Sequence, residues 1–374
     1  MNSRFQNIFL LLKSFVFFPF RGFAKGEVQT PQKVIVFQGA KLGDMVCTTP
    51  VFRALKATYP HVLLTVVGNS LNREVLAYNH DVDAYISYDK FSTKELIRLI
   101  RQENFDFGCT VVPDFRALSA MYLGGVRVIA VPRVEGGWSP YETKPYVLLR
   151  HVAETRPHTM YQYAPREYMR LLEPLSITNN DTTKRLGYSD AARLTIEKFL
   201  HDKNVMRGEF ALISPSAGNK IKNWPAERFA QVAEYFIARH IPVIIIGGKR
   251  DTEEVAAMVA ALHGQRGVIN VSELFSLDEL KALIAQAKIF VSVDTGPLYI
   301  AEAFNVPTVD ILGPMSEQEQ PPRSEKNRVV FDHTRRAPQL HIMNARMYNR
   351  VEARRQVEAI SVEMVIHEIV HILG

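Results

Sequence analysis

The chain predicts an α/β protein made of two doubly wound parallel-sheet units, and three observations predict it. Short Val/Ile/Leu runs alternate with helical stretches almost throughout, the pattern of parallel strands covered on both faces by helices. The alternation lapses from Pro132 to about Arg207 and then restarts, which implies two such units. A length of 374 residues, 47% of them hydrophobic and 22% charged, is enough for two full-sized cores.

The first unit reads as a strand at Val34–Phe37, a glycine turn at Gly39–Gly43 and a helix from Asp44 to about Thr58. Then come strand His61–Val67, helix Leu71–Tyr78, strand Ala84–Tyr88, helix Thr93–Gln102, and strands Phe107–Val112 and Val126–Val131 around a short helix. The looser middle holds helices near Arg166–Leu172 and Asp190–His201. The second unit reads as strand Ala211–Ser214, helix Pro225–Arg239, strand Pro242–Ile246, helices Thr252–Leu262 and Leu277–Gln286, strand Ile289–Val293, helix Leu298–Phe304 and strand Thr308–Leu312, closed by one helix over Ala359–Leu373. Two such units leave a cleft between them, and in open α/β sheets ligands bind beyond the carboxyl ends of the strands.

Composition excludes other classes. The apolar and charged fractions are wrong for a fibrous repeat or a disordered chain, and no run of about 18 uncharged apolar residues marks a polytopic membrane protein. Cys47 and Cys109 are too few for a disulfide framework or a cysteine-rich zinc site, and they fit a reducing compartment.

Two features sit outside the alternation. Residues 5–23 hold seven of the 21 phenylalanines, in FQNIFLLLKSFVFFPFRGF. The run is too short, and too interrupted by Lys13 and Pro19, to span a bilayer comfortably, and no small-x-small site suggests a cleaved signal. It reads as a helix lying in a membrane interface, against the alternative of an arm packed on the body or on a second subunit. The formal charge of +6 is concentrated between Arg323 and Arg355, where nine basic residues face three acidic ones, either an anion-attracting face or a solvated surface.

Four loops directly after strands carry the polar residues. Gln38–Asp44 has two glycines and an aspartate at a helix start, where Asp44 is a plain N-terminal cap unless context says otherwise; its glycine spacing is neither that of a dinucleotide loop nor that of a Walker loop. Ser214–Pro225 runs small residues, hydroxyls, Lys220 and Lys222 into a helix starting at proline, an anion-binding arrangement. Asp294-Thr295-Gly296-Pro297 aims helix-start amides outward beside a hydroxyl, and Gly313-Pro314 ends a strand alongside it.

Taken together, LGDMVCTTPVFRALKATYP (42–60), SPSAGNKIKNWPAERFAQVA (214–233) and VSVDTGPLYIAEAFNVPTVDILGP (291–314) resemble the glycosyltransferase family 9 heptosyltransferases, over roughly residues 33–315. The resemblance implies a GT-B fold, two Rossmann-like doubly wound domains facing a cleft with a C-terminal helix. The expected division is an N-terminal extension at 1–30, an acceptor domain at 31–175, a linker at 176–208, a nucleotide-sugar domain at 209–345 and a C-terminal helical segment at 346–374. It further implies inverting, metal-independent transfer of a heptose from ADP-heptose to a lipid-linked lipopolysaccharide core acceptor, without a cofactor, by a cytoplasmic enzyme peripheral to the inner membrane. Asp44 matches the family's general base and Lys222 the lysine that balances the departing diphosphate. Asp294, Thr295 and Gly296 match the phosphate turn, and Gly43, Ser216 and Gly218 join the substrate-binding set. Phe275 and Glu253 fall near where the family holds adenine and ribose. Tyr299 stands where the family usually has His, and the family's C-terminal cysteines are absent.

Two other readings remain weaker. His367-Glu368-Ile369-Val370-His371 spells the zinc-protease helix motif, but it ends three residues from the last one and no third ligand follows. A non-catalytic nucleotide-binding scaffold needs neither Asp44 nor Lys222. No helix-turn-helix or aromatic strand platform supports nucleic-acid binding.

Overall fold

The computed structural model describes residues 3–374, with side chains from Asn7 onward. Met1 and Asn2 of the N-terminal extension, and the side chains of residues 3–6 including Phe5, lie outside the described residues. The chain divides into two compact units, one running to Arg185 and taking in Ile342–Asn344, the other comprising Leu186–His341 and Ala345–Gly374.

Unit 1 begins with helix α1 (Ser3–Arg21) and continues β1 (Lys33–Phe37), α2 (Leu42–Thr58), β2 (Leu63–Gly68), α3 (Ser70–Leu76), β3 (Ala84–Ser87), α4 (Thr93–Glu103), β4 (Phe107–Thr110), α5 (Phe115–Gly124), β5 (Val128–Glu135), α6 (Lys144–Leu149), β6 (Glu154–Thr159) and α7 (Ala164–Met169). Its six strands are ordered β3-β2-β1-β4-β5-β6, with every pair parallel. The order reverses between β1 and β4, so the loops that follow these two strands share the topological switch point. The central strands are continuous apolar runs because both faces are covered: Ile35 and Val36 of β1 have no solvent exposure.

Unit 2 contains α8 (Asp190–Asp202), β7 (Ala211–Ser214), α9 (Ala226–Ile237), β8 (Val243–Ile245), α10 (Thr252–Ala261), β9 (Val268–Asn270), α11 (Leu277–Ile284), β10 (Ile289–Val293), α12 (Gly296–Ala303), β11 (Thr308–Ile311), β12 (Asn327–Val330), α13 (Arg350–Glu358) and α14 (Val362–Leu373). Its sheet is ordered β12-β11-β10-β7-β8-β9. Here β7 and β10 flank the switch point, with Ser214 paired in register to Ser292, so the 214–225 loop and the 294–297 turn emerge side by side.

The structure adds what the apolar pattern did not show. The middle of the chain holds β6, ETRPHT, which pairs with β5 at the sheet edge; an edge strand tolerates polar residues and Pro157 because one side lacks a partner. The expected C-terminal helix is α14, and a further helix, α13, precedes it. The chain breaks at 359–361, and the Ser361 side chain accepts from Met364 N to start α14 afresh. Val365 and Ile369 of α14 are buried in the unit 2 core while Val370 is exposed. The indole Nε1 of Trp224 donates to Ile360 O at 2.9 Å, tying the 214–225 loop to this closing segment.

Candidate active site

In unit 1 the loop after β1 is held from inside. The Gln38 amide is fully buried. Its oxygen accepts from Ala40 N at 3.0 Å, and its nitrogen donates to Thr48 Oγ1 at 3.0 Å. Asn69 and Asn72 each donate to Ala40 O at 3.0 Å. Gly39 lies against Tyr88, whose hydroxyl would sit 3.1 Å from an added Cβ, so a side chain there forces the tyrosine aside. The result is a fixed turn that delivers Asp44 at the start of α2, where its Oδ2 accepts from Lys41 N at 3.1 Å. Asp44 is half-buried and Gly43 beside it is buried. The N-cap position is Lys41 rather than Asp44, and Asp44, as the third helical residue, accepts from the Lys41 N–H, which also fixes the carboxylate at the carboxyl end of the sheet.

In unit 2 the two lysines of the 214–225 loop part company. Lys220 Nζ donates to Ser216 Oγ (2.9 Å), Arg250 O (2.8 Å) and Glu254 Oε2 (2.8 Å). Lys222 Nζ donates to the Asp294 main-chain oxygen and, at 2.7 Å, to Asp294 Oδ2. The other oxygen of Asp294 accepts a short hydrogen bond from the Tyr299 hydroxyl. Asp294, Tyr299 and most of Lys222 are buried. Thr295 caps α12 in extended conformation and Gly296 opens the helix with Pro297 next, so its first amides face the same end of the sheet as the Lys222 loop.

Behind this pair lies Asp310, on β11 in register with Ser292. It is fully buried and neither carboxyl oxygen has a hydrogen-bond partner. Burial first, and then the neighbouring Asp294 carboxylate, push the Asp310 carboxyl well above its ordinary range, with Lys222 opposing. Burial thereby favours the neutral form of Asp310, which lessens the negative charge that Lys222 meets from this side.

Beside the turn is a pocket of about 450 Å³, wholly within unit 2. Ser216, Gly218, Phe275 and Thr295, all named from sequence, line it, with Leu277 and Leu280 completing an apolar wall. Glu253 does not line it; it is exposed on α10. Tyr299 is turned inward to Asp294 rather than into the pocket. The acids that do line it, Asp251 and Glu273, were missed. Asp251 accepts from Ser216 Oγ at 2.7 Å and from Gly248 N at 2.9 Å. The signal was present in the Gly247-Gly248 pair, one residue after β8. A Cβ at Gly247 would lie 2.7 Å from Val255, so only glycine brings that turn against α10.

The remaining polar motifs resolve into structural roles. His367 and His371 approach to 3.1 Å between their Nε2 atoms, while Glu368 pairs with Arg328 at 3.5 Å. Among the described residues no group of three or more His, Cys, Asp or Glu is placed to hold a metal. Part of the basic stretch is held in ion pairs. Arg335 bonds Glu317 and Gly313 O, Arg355 bonds Asp332 (3.0 Å) and Glu352 (2.7 Å), and Arg354 bonds Glu358 (2.7 Å).

Two parallel six-stranded units, each with polar loops at its switch point, define the GT-B architecture. The chain belongs to glycosyltransferase family 9 (heptosyltransferase), whose model matches residues 95–347. That span contains the second and third loops and leaves Asp44 outside it. Lipopolysaccharide heptosyltransferase 2 of Escherichia coli K12 is 24% identical over 315 residues, covering 80% of this chain and 87% of the relative. Among solved structures, the E. coli ADP-heptose lipopolysaccharide heptosyltransferase II superposes with a TM-score of 0.70 at 20% identity, covering 91% of this chain and 98% of that one. A glycosyl transferase family 9 protein from Veillonella parvula gives 0.70 at 20% identity, covering 82% and 87%.

Proposed function

We propose that this chain is an inverting transferase that moves a heptose from ADP-heptose to a lipid-linked lipopolysaccharide core sugar on the cytoplasmic face of the membrane. Membership of family 9 supports the reaction class, and the names of the E. coli relatives supply the donor and the acceptor class. The observation that carries the assignment is the unit 2 pocket, where Phe275, Leu277 and Leu280 offer an apolar wall for a base and Ser216, Gly218 and Thr295 a polar floor toward Lys222 and the start of α12.

In this reading Asp44 takes the proton of the acceptor hydroxyl as that oxygen attacks the anomeric carbon, and the bond to ADP breaks on the opposite face. The leaving diphosphate gathers charge as the bond breaks. Amides at the start of α12, the Thr295 hydroxyl and the Lys222 ammonium meet that charge without reorganising. Asp294 and Tyr299 position the lysine. This assignment asks no metal to do what the ammonium and helix start do.

The test is a thermal-shift panel with ADP, UDP and GDP, followed by turnover with ADP-heptose and a core acceptor, read by mass spectrometry. Selective stabilisation by ADP and a product heavier by one heptose are expected. Preference for UDP or GDP, or ADP-heptose left intact with acceptor present, refutes the assignment.

A further inference from the structure

Helix α1 is apolar on two opposite sides, and unit 1 uses only one of them. Leu10, Ser14, Phe17, Phe18 and Arg21 turn inward: Leu10 and Ser14 are buried, and Phe17 and Phe18 pack against the unit 1 core. Phe17 meets the Tyr122 ring edge-on at 6.5 Å. The Arg21 guanidinium donates to the Tyr122 and Val126 carbonyls, and Tyr122 OH returns a bond to Gly22 O at 2.9 Å. Immediately after the helix, Ala24 N donates to Val152 O at 2.7 Å and Ile129 N to Ala24 O at 2.9 Å. The helix is thus fastened to the domain at its C-terminal end and along one face.

The opposite face carries Ile8, Phe9, Leu12, Phe15, Val16 and Phe20, which at 3.6 residues per turn fill an arc of about 140°. Phe9 is 63%, Val16 72% and Phe20 85% exposed. Single exposed apolar residues mean little, but a contiguous stripe of six marks an interaction surface. Lys13 flanks the stripe, Lys25 follows with its ammonium over the Phe23 ring at 5.3 Å, and no Asp or Glu occurs before Glu27. A second copy docked symmetrically along this face would bring Lys13 toward its own image with no acid in the segment to offset it. A surface with an apolar interior and anionic headgroups accepts both features, the aromatic rings below and the lysines at the headgroup level. Among the described residues no helix is long and apolar enough to cross a membrane.

We infer that α1 lies in the plane of an anionic lipid surface, its Phe9–Val16–Phe20 face inserted and its Leu10–Phe17 face bolted to unit 1, so that the domain itself rides on the membrane. The inference goes beyond the transfer reaction and does not depend on it.

The test is sedimentation of the full chain with phosphatidylcholine vesicles, with and without phosphatidylglycerol, for the wild type and a Phe9→Ser/Val16→Ser/Phe20→Ser variant. These side chains face solvent, so folding is preserved, and circular dichroism together with the ligand-free melting temperature of the same samples verifies it. Binding to the anionic vesicles is expected, weakened at least about tenfold in the triple variant and made less salt-sensitive by Lys13→Gln. Wild-type chain that stays in the supernatant, or a triple variant that binds equally, overturns the inference. So does a dimer, seen by light scattering, that the triple variant dissolves while the wild type ignores vesicles. A failed ADP shift with intact vesicle binding would instead count against the transferase reading alone.

Discussion

Replacing Lys222 by methionine is the most informative single change, because it keeps much of the stem volume and removes only the charge. The lysine and Asp294 form a 2.7 Å pair whose side chains are 13% and 5% exposed. In the variant, Asp294 retains the Tyr299 hydroxyl but loses its cation, with Asp310 buried behind it. Removing one partner of a buried ion pair costs about 3–5 kcal/mol. The slight exposure of Lys222 and the retained tyrosine bond place this case near about 3 kcal/mol. For a unit in the range of 150–250 residues, about 2–4 °C of melting temperature accompanies each kcal/mol, so the unit 2 transition should fall by about 6–12 °C. Scanning calorimetry without nucleotide reads this directly. The double variant Lys222→Met/Asp294→Asn should recover to within about 1 kcal/mol of wild type, because no uncompensated carboxylate remains. It should still lack transfer, since the cation for the diphosphate is gone. A Lys222→Met melting point within about a degree of wild type refutes the pair as a feature of the free protein. Additive losses in the double variant refute charge pairing as its cause.

Three further outcomes are expected. Asp44→Asn keeps an acceptor for Lys41 N and so keeps the helix start, yet transfer should fall by about 10²–10⁴ while the ADP thermal shift stays; full turnover would leave Asp44 as a cap alone. Asp310→Asn should stabilise the protein at neutral pH. The folded chain holds a proton there that the unfolded chain releases, so wild-type stability declines as pH rises from the ordinary carboxyl value through the raised folded one. Urea midpoints should show the gain shrinking to nothing toward about pH 4, and a pH-independent gain would contradict the raised carboxyl of Asp310. Phe275→Ala should weaken ADP by about 1–3 kcal/mol if the ring stacks on the base, measured by titration calorimetry, and unchanged affinity would move the base elsewhere.

The central strands were legible because burial on both faces demands unbroken apolar runs, and KVIVF, ALIS and IFVSV have no other reading between helices. Edge strands obey a weaker rule. β6 carries Arg156, Pro157 and His158 with a neighbour on one side only, and nothing in its sequence distinguishes it from loop. The same holds for α13, RVEARRQVE, whose few buried residues, Ala353, Gln356 and Val357, leave little apolar pattern to read.

At the candidate site, residues on turns after strands were legible as positions, whereas their partners were not. Lys222 is two residues from Lys220 and the two differ only in reach: one finds Glu254 and Ser216, the other Asp294. Tyr299 shows why this matters. A phenol brings a neutral donor, so Asp294 has one cation beside it in Lys222. Two ionised aspartates facing one ammonium would leave a net negative charge at the proposed diphosphate site. The buried Asp310, with both oxygens unpartnered, eases this, because its burial and the Asp294 carboxylate favour its neutral form. In the proposed reaction, positive potential for the leaving group then comes from the start of α12 and from whatever share of Lys222 the diphosphate draws away from Asp294. The tyrosine and the buried acid are thus one arrangement, and changing either alone shifts the charge that the nucleotide meets.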